Sequence, residues 1–524
     1  MKGAERLGQL VMSDAQRAEF LARLQAQVSP EDYERIELLC QLATLLGQDN
    51  LSKLRHLLFG RKTEKTQQVC PEAEPAPSAA PSPPHWRKGH GRRGAKGYTG
   101  ARWLRVEHPS LKQGQRCPQC QKGALRPQRR RGLVLRISGS PPISATGWSL
   151  EKLRCDTCGQ VFTAPTPPEA GLRKYDESVG VTIALLRYGS GLPHYRLARL
   201  QQSLGVPLPE STQWEQIVPL CQQAEPIFEE LLRQTAQSPL LHNDDTSMRI
   251  GELRRPGSAS ADEIAPERTG TFTTGIVGHA SGHPVALFMT GWRHAGENLS
   301  QLLQRRDPDL PVPIQMCDAL SRNTCGEFES ILANCLGHGR REFVPLATSF
   351  PEQVRFVLEQ IREVYRAEAQ AKELGLAAPE RLRHHQTHSQ SVMDQLHQWM
   401  RHQLEQKQVE PNSRLGQAIG YMLRHWEPLT LFLRQPGAPL DNNICERALK
   451  MAILHRKNSL SYKTLNGART GDLFMSLIHT CRLNGVNPYD YLLSVAKHPQ
   501  ESNHQPQAWM PWNYPKPGER LDSS

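Results

Sequence analysis

No stretch of this chain reaches the run of about 18 apolar residues that a membrane-crossing helix requires, so no span is expected. The N-terminus has no signal-peptide h-region and opens into a polar helical pattern, which points to the cytoplasm. Cysteine is sparse, 12 in 524 residues, and only four fall in close pairs. That excludes a disulfide framework and favours metal binding. No phosphate-cradling Walker loop and no Ser/His/Asp order stands out, so ATP use is not implied.

What is present is charge, unevenly placed. The formal net charge is +12, and from Trp86 to Arg136 fifteen Lys and Arg stand against the single acid Glu107. One segment carries the whole excess, the electrostatic footprint of a nucleic-acid binder, although a solvated charge run has the same composition. A hydrophobic content of 38% is enough for cores, while 40 Pro and 39 Gly imply linkers. At roughly 150 residues per domain, the length calls for several.

Residues 1–66 carry apolar positions at spacings of three and four, such as Ile36, Leu39, Leu42 and Leu46, which predicts packing helices or a segment that pairs protomers. Residues 67–105 read as a Pro-rich, disordered linker running into a basic stretch. Residues 106–170 contain Cys117, Cys120, Cys155 and Cys158, two C-x-x-C knuckles that together offer four thiolates to one tetrahedral zinc. Strand-like basic segments lie between them, the layout of a zinc ribbon; redox dithiols are the weaker alternative. Residues 171–236 are helical, and Leu197–Leu204, Gly205-Val206 and Glu210–Leu220 have the pattern of a helix–turn–helix, which helical hairpins that bind nothing share.

From 237 the texture becomes α/β. Pro239–Asp244, Thr271–Gly278 and Pro284–Thr290 read as strands of a meander, a helix follows near Asn298–Gln304, and Pro313–Asp318 is a further strand. Residues 351–437 read as an all-helical insertion, and the region 438–500 resumes with a helix through Glu446. Residues 501–524 read as a polar tail.

Asp244 and Asp318 end strands, and Glu446 sits one turn into a helix. Two adjacent strands with a helix over them bring three such carboxylates together, and hard oxygen ligands suit Mg2+ or Mn2+. Two such ions about 4 Å apart clamp the attacking and leaving oxygens of a phosphoryl transfer without a covalent protein nucleophile. Asp245 is the rival of Asp244 on residue type alone.

The chain resembles the insertion sequence 66 family of bacterial DDE-type transposases nearly end to end. The resemblance rests on Leu58-Phe-Gly-Arg-Lys-Thr-Glu-Lys65, Lys88-Gly-His-Gly-Arg-Arg93, the Cys knuckles and His242-Asn-Asp-Asp-Thr246. It continues through Cys335-Leu-Gly-His338-Gly-Arg-Arg-Glu-Phe343, Asp441-Asn-Asn-Ile-Cys-Glu-Arg447, Arg456-Lys-Asn458 and Leu483-Asn-Gly-Val-Asn-Pro-Tyr489. It implies an RNase H-like core, here 237–350 and 438–500, with the triad Asp244, Asp318 and Glu446 and a helical insert before the Glu. The sequence departs from the family pattern at Asp245, where Glu is usual, and around Asp318, where the usual Thr-Asp-Gly-Tyr is missing.

The expected whole is thus a multidomain α+β protein: a DNA transposase that binds terminal inverted repeats and performs metal-dependent cleavage and 3′-hydroxyl strand transfer. A catalytically inert DNA-binding derivative is the alternative. The expected partners are double-stranded DNA, further copies of the chain and accessory proteins of the same element; the expected location is the nucleoid. Expected DNA contacts are Arg87, Lys88, Arg92, Arg93, Lys96, Arg129, Arg130, Arg131, Arg340, Arg341, Arg447, Arg456 and Lys457, with surface salt bridging as their ordinary use. His338 is expected beside the active site, where a satisfied core histidine is the other reading.

Overall fold

The computed structural model describes residues 111–116, 118–126, 142–154, 161–254 and 270–514. The expectations for residues 1–66 and 67–105, for Cys117, Cys155 and Cys158, and for Arg129, Arg130 and Arg131 lie outside the described residues. Cys120 is described and exposed, in a turn closed by an antiparallel bridge between Arg116 and Ala124. Strand β1 (Lys152–Arg154) pairs antiparallel with β2 (Val161–Thr163), flanking the second knuckle.

Helix α1 (Glu177–Ala184) begins on Asp176, whose side chain accepts from Ser178 N, and α2 (His194–Ser203) follows. Gly205, in the left-handed region at φ 74°, turns the chain toward α3 (Glu210–Thr235). The expected helix, glycine turn and helix are present, but the second helix is not short. It continues to Thr235 and buries Ile217, Leu220, Ala224, Ile227 and Leu231, a repeat of three and four that makes it a core helix.

The centre is a five-stranded mixed sheet in the order β6-β5-β3-β7-β8. Its strands are β3 (Leu240–Ser247), β5 (Phe272–Ala280), β6 (His283–Gly291), β7 (Ile314–Cys317) and β8 (Ile331–Asn334), with the two-residue β4 (Arg249–Ile250) leaving β3 to one side. β3, β5 and β6 form the expected antiparallel meander, whereas β7 and β8 run parallel to β3. The β5–β6 turn is Ser281-Gly282, both at positive φ, the primed geometry whose twist matches the flanking strands. Helix α4 (Ala295–Leu303) connects β6 toward β7.

Helix α5 (Leu336–Phe343) precedes the region expected to be helical, which α6 (Pro351–Glu373), α7 (Ala378–His388), α8 (Gln390–Glu405) and α9 (Arg414–Arg424) fill. They divide between two units. Residues 338–375 and 387–424 belong to one, where α6 packs on α8 through Val354, Val357, Met393 and Leu396, with the Phe356 and Trp399 rings 4.9 Å apart. Residues 376–386 and those from 425 onward belong to the unit that holds the sheet. There the His385 ring meets Phe432 at 5.1 Å, and Gln386 donates to the Leu433 carbonyl.

After α10 (Asn443–Ser459), the short β9 (Ser461–Tyr462) pairs with β4, and α11 (Leu465–Leu483), α12 (Pro488–Lys497) and α13 (Pro499–His504) follow. The expected polar tail is packed as far as residue 514, because it carries Trp509, Trp512 and Tyr514, which lie against the core, and Met510, which is buried.

α11 closes the sheet's edge. β6 is an outer strand, and such a strand presents unpaired N–H groups at every second residue. The N–H groups of Ala286, Phe288 and Thr290 donate to Thr480 Oγ1, Ser476 Oγ and Asp472 Oδ2, at 3.2, 2.9 and 2.7 Å. Four residues of helix rise about 6 Å, close to the roughly 6.8 Å of two strand residues, so a row at i, i+4, i+8 reads a strand at i, i+2, i+4.

Asp472 also accepts from Thr290 Oγ1 at 2.6 Å, and burial pushes its carboxyl up to about 7. A carboxyl raised in the folded state contributes stability that is complete below its unfolded value near 4 and is lost as pH rises through about 7. Between pH 5 and 8 the melting midpoint of the protein therefore falls more than that of Asp472→Asn. Asp472→Ala, which strands two buried donors, loses about 3 kcal/mol in denaturant titration.

Candidate active site

The site grows from the alternation of β3, whose successive side chains point to opposite faces. Asp245 is held on one side: its Oδ2 lies 2.9 Å from His294 Nδ1, its Oδ1 lies 3.5 Å from Arg322, and its side chain is 1% exposed. Asp244 faces the loop after β7. In the parallel β3–β7 pairing His242 lies opposite Met316, and carrying that register on by two residues sets Asp244 beside Asp318.

One amide joins the two acids. Asn323 Nδ2 donates to Asp318 Oδ1 at 2.6 Å and to Asp244 Oδ1 at 3.3 Å. Asp318 Oδ1 also accepts from Leu320 N at 3.2 Å, an Asx turn that starts the loop, and Asp244 Oδ1 accepts from Asp245 N at 2.8 Å.

Glu446 arrives on the first turn of α10. Asn442, fully buried before that turn, fastens the helix to β3: its Nδ2 donates to the Asn243 carbonyl at 3.0 Å, and its Oδ1 lies 3.0 Å from His242 Nδ1. Because the amide nitrogen is committed to Asn243, the oxygen must accept, and His242 carries its proton on Nδ1. Burial lowers the His242 pKa to about 4, so the ring is neutral. Asn442 N donates to Cys335 Sγ at 3.3 Å, and Asp441 Oδ1 accepts from Asn443 N. Asp441 thus supplies the cap-like bond, while Asn442 supplies the anchor.

Close approach of α10 to the sheet depends on Gly275, the partner of Asp244 on β5. A Cβ there would stand 3.0 Å from Leu449, and Cys445 Sγ donates to the Gly275 carbonyl at 3.2 Å.

Asp244 feels the acids around it. Burial first, then the charge of Asp318, with smaller contributions from Asp245 and Glu446, push the Asp244 carboxyl up to about 7. The donors of these acids are hard oxygens of the kind that Mg2+ and Mn2+ take.

The basic residues divide. Arg447 and Lys457 on α10 are exposed. Arg456 is engaged within the chain, donating to Thr246 Oγ1, the Ser247 carbonyl and Ser247 Oγ at 2.8, 2.6 and 2.8 Å. Arg340 and Arg341 are half-buried on α5, where Arg341 reaches His338 Nε2 at 3.1 Å. Arg87, Lys88, Arg92, Arg93 and Lys96 lie outside the described residues. Sequence reasoning missed Asn323, His294 and Arg322. None belongs to a motif with catalytic spacing, and only the fold brings them to the acids.

Asp244 does not end its strand as expected, because β3 pairs with β5 as far as Ser247, whereas Asp318 does follow directly on β7. A mixed sheet with acids on two inner strands and a third acid on a helix tied to it is compatible with the core of a DDE-type polynucleotidyl transferase. Residues 174–470 match the family described as Transposase IS66 family, and the chain belongs to that family. Three similar proteins come from Sinorhizobium fredii (strain NBRC 101917 / NGR234), each described as uncharacterized. The chain is 26% identical to y4hP over 391 residues, covering 70% of this chain and 67% of that protein. It is 34% identical to y4jD over 189 residues and 32% identical to y4qI over 200 residues. These alignments cover 35% and 37% of this chain and 36% of each relative. No solved structure matches. Among the described residues no helix is long and apolar enough to cross a membrane.

The two neighbouring aspartates separate by stability. Without added metal, Asp244→Asn raises the calorimetric melting midpoint, because it removes charge from a crowded, desolvated group. Asp245→Asn lowers stability by about 2 kcal/mol, less than for a fully buried pair because the Arg322 side chain is 46% exposed.

Proposed function

We propose that the chain is a DNA transposase of an insertion sequence, which cleaves at the element's ends and joins the freed 3′-hydroxyl to target DNA. The observation that carries this reading is the joining of Asp244 and Asp318 through the Asn323 amide, with Asp244 driven toward neutrality by burial and then by the charges of Asp318, Asp245 and Glu446. Membership of a transposase family supports it. So does the sheet order, three antiparallel strands followed by two parallel ones, which suits an RNase H-like core.

In this reading Asp244, Asp318 and Glu446 hold divalent cations, Mg2+ or Mn2+. Bound there, such ions lower the pKa of an attacking water or 3′-hydroxyl and neutralise charge on the phosphate. The protein's own part is positional. Asp244 is fixed within β3 and Asp318 directly after β7, and Asn442 ties the start of the helix that carries Glu446 to β3. Asp245, clasped by His294 and Arg322, stiffens the end of β3 and ligates nothing. Arg447 and Lys457, exposed on the helix that bears Glu446, meet DNA phosphates.

The segment 86–136, with its surplus of Lys and Arg, would supply the salt-dependent part of end binding. Cys117, Cys120, Cys155 and Cys158 would hold a structural zinc, and α2 with the start of α3 would contact the terminal repeats. Copies of the chain and helper proteins of the element would complete the assembly at the nucleoid.

The test uses a duplex ending in the element's terminal repeat, with Mg2+. Asp244→Asn and Glu446→Gln should retain end binding in a mobility-shift assay and lose cleavage and strand joining by about a thousand-fold or more. Wild-type joining by both variants would overturn the reading.

A further inference from the structure

Asn323 is fully buried, and its amide is divided in use. Nδ2 serves both Asp318 and Asp244, while Oδ1 has no hydrogen-bond partner among the described residues. An orphaned oxygen beside an acid cluster is a feature that the three acids do not account for.

The backbone of Asn323 is pinned. Its carbonyl accepts from Asn243 Nδ2 and from Gln315 Nε2, each at 2.7 Å, and its N–H donates to the Leu320 carbonyl at 2.9 Å. Gln315 is fixed in turn by Asn243 Oδ1, Cys325 N and Ser330 Oγ. Helix α4 closes the other side, since a Cβ on Gly296 would stand 2.2 Å from the Thr324 carbonyl. The loop has no room to slide toward α4, whereas the terminal torsion of an asparagine is soft and nearly two-fold.

We propose that Asn323 is a rotating ligand for the cation that Asp244 and Asp318 share. Without a cation, its amide nitrogen bridges the carboxylates and offsets their repulsion. A cation between Asp244 Oδ1 and Asp318 Oδ1 would have to occupy the place toward which those N–H groups point. With the backbone clamped, the amide turns about its last torsion, exchanges nitrogen for oxygen and offers Oδ1 as a neutral ligand. The same rotation withdraws the competing donor and gives the orphaned oxygen a partner. No bond to hydrogen breaks and no proton is transferred. This inference rests on the reading of the acids as cation ligands.

The test is Mn2+ binding by the full-length chain, read by titration calorimetry and by the electron paramagnetic resonance of free Mn2+. Asn323→Leu removes bridge and ligand together, with Asn323→Ala for the same comparison should leucine prevent folding. A ligand role weakens Mn2+ binding by about tenfold or more in these variants. Asn323→Asp, which places an oxygen at both positions, retains wild-type affinity or exceeds it. Its metal-free melting midpoint is lower, and Mn2+ raises that midpoint by more than in the wild type. A side chain that only bridged would have to be displaced, so its removal would leave Mn2+ affinity equal or higher; that result overturns the proposal. Asp244→Asn separates the two levels. If it binds Mn2+ as the wild type does, the acids themselves are not the ligands. If it binds weakly while Asn323→Leu does not, only the role of Asn323 fails.

Discussion

Like charges crowded out of water repel, and the unit around the sheet holds two acids, Asp244 and Asp318, side by side through one amide. Asp244 and Asp318 are brought side by side by the register of two parallel strands, which backbone hydrogen bonds fix. Glu446 is brought by Asn442, which reaches from the start of α10 to the backbone of one β3 residue and the side chain of another. Each tie is local and neutral.

The polar residues inside the sheet follow from this. Inner strands between covering layers are ordinarily apolar, yet Asn243 and Gln315 are buried at its centre. Each is satisfied through the other and through the loop that carries Asn323. A buried polar group costs stability unless its partners are complete, so such a network persists where it fixes a geometry that apolar packing cannot fix. Here it fixes the path of the chain after Asp318. At the far edge the same economy recurs, with Asp472, Ser476 and Thr480 meeting the outward N–H groups of β6. That edge of the sheet is thereby stopped, while the acids sit on its inner strands.

Much of this was legible in the sequence, and the divide is physical. The strands at 240–247, 272–280 and 283–291 announce themselves by apolar and β-branched runs with turn residues between them. The helical region after 350 shows itself by periodicity alone, but its division into two units does not, because a helix packs by the same spacing whichever neighbour it meets. The length of α3 was underread because the pattern was followed only to Leu220, although Ala224, Ile227 and Leu231 continue it. Asp244 could be told from Asp245 by family register but not by chemistry; the difference lies in His294 and Arg322, forty-nine and seventy-seven residues further on. Asn323 gave no signal, since an asparagine in a polar loop is ordinarily a turn residue.

The loop around Asp318 shows why motif and geometry part company. Its flanking residues depart from the family pattern, which on sequence grounds weakens the assignment of the second acid. Geometry asks less of the sequence. It needs an acid one residue past a strand that runs parallel to β3, in register two beyond His242–Met316, and Asp318 meets both conditions. It also needs a loop that keeps that acid turned toward Asp244. Here Leu320 N and the Asn323 amide hold Asp318 Oδ1, and Asn243 and Gln315 hold Asn323. Within the loop Arg322 is held to its own task by Asp245, while the residues from Ala319 to Ser321 are asked only to carry the Leu320 N–H to Asp318. The register of the strand thus places Asp318 beside Asp244 whatever the identity of the residues that flank it.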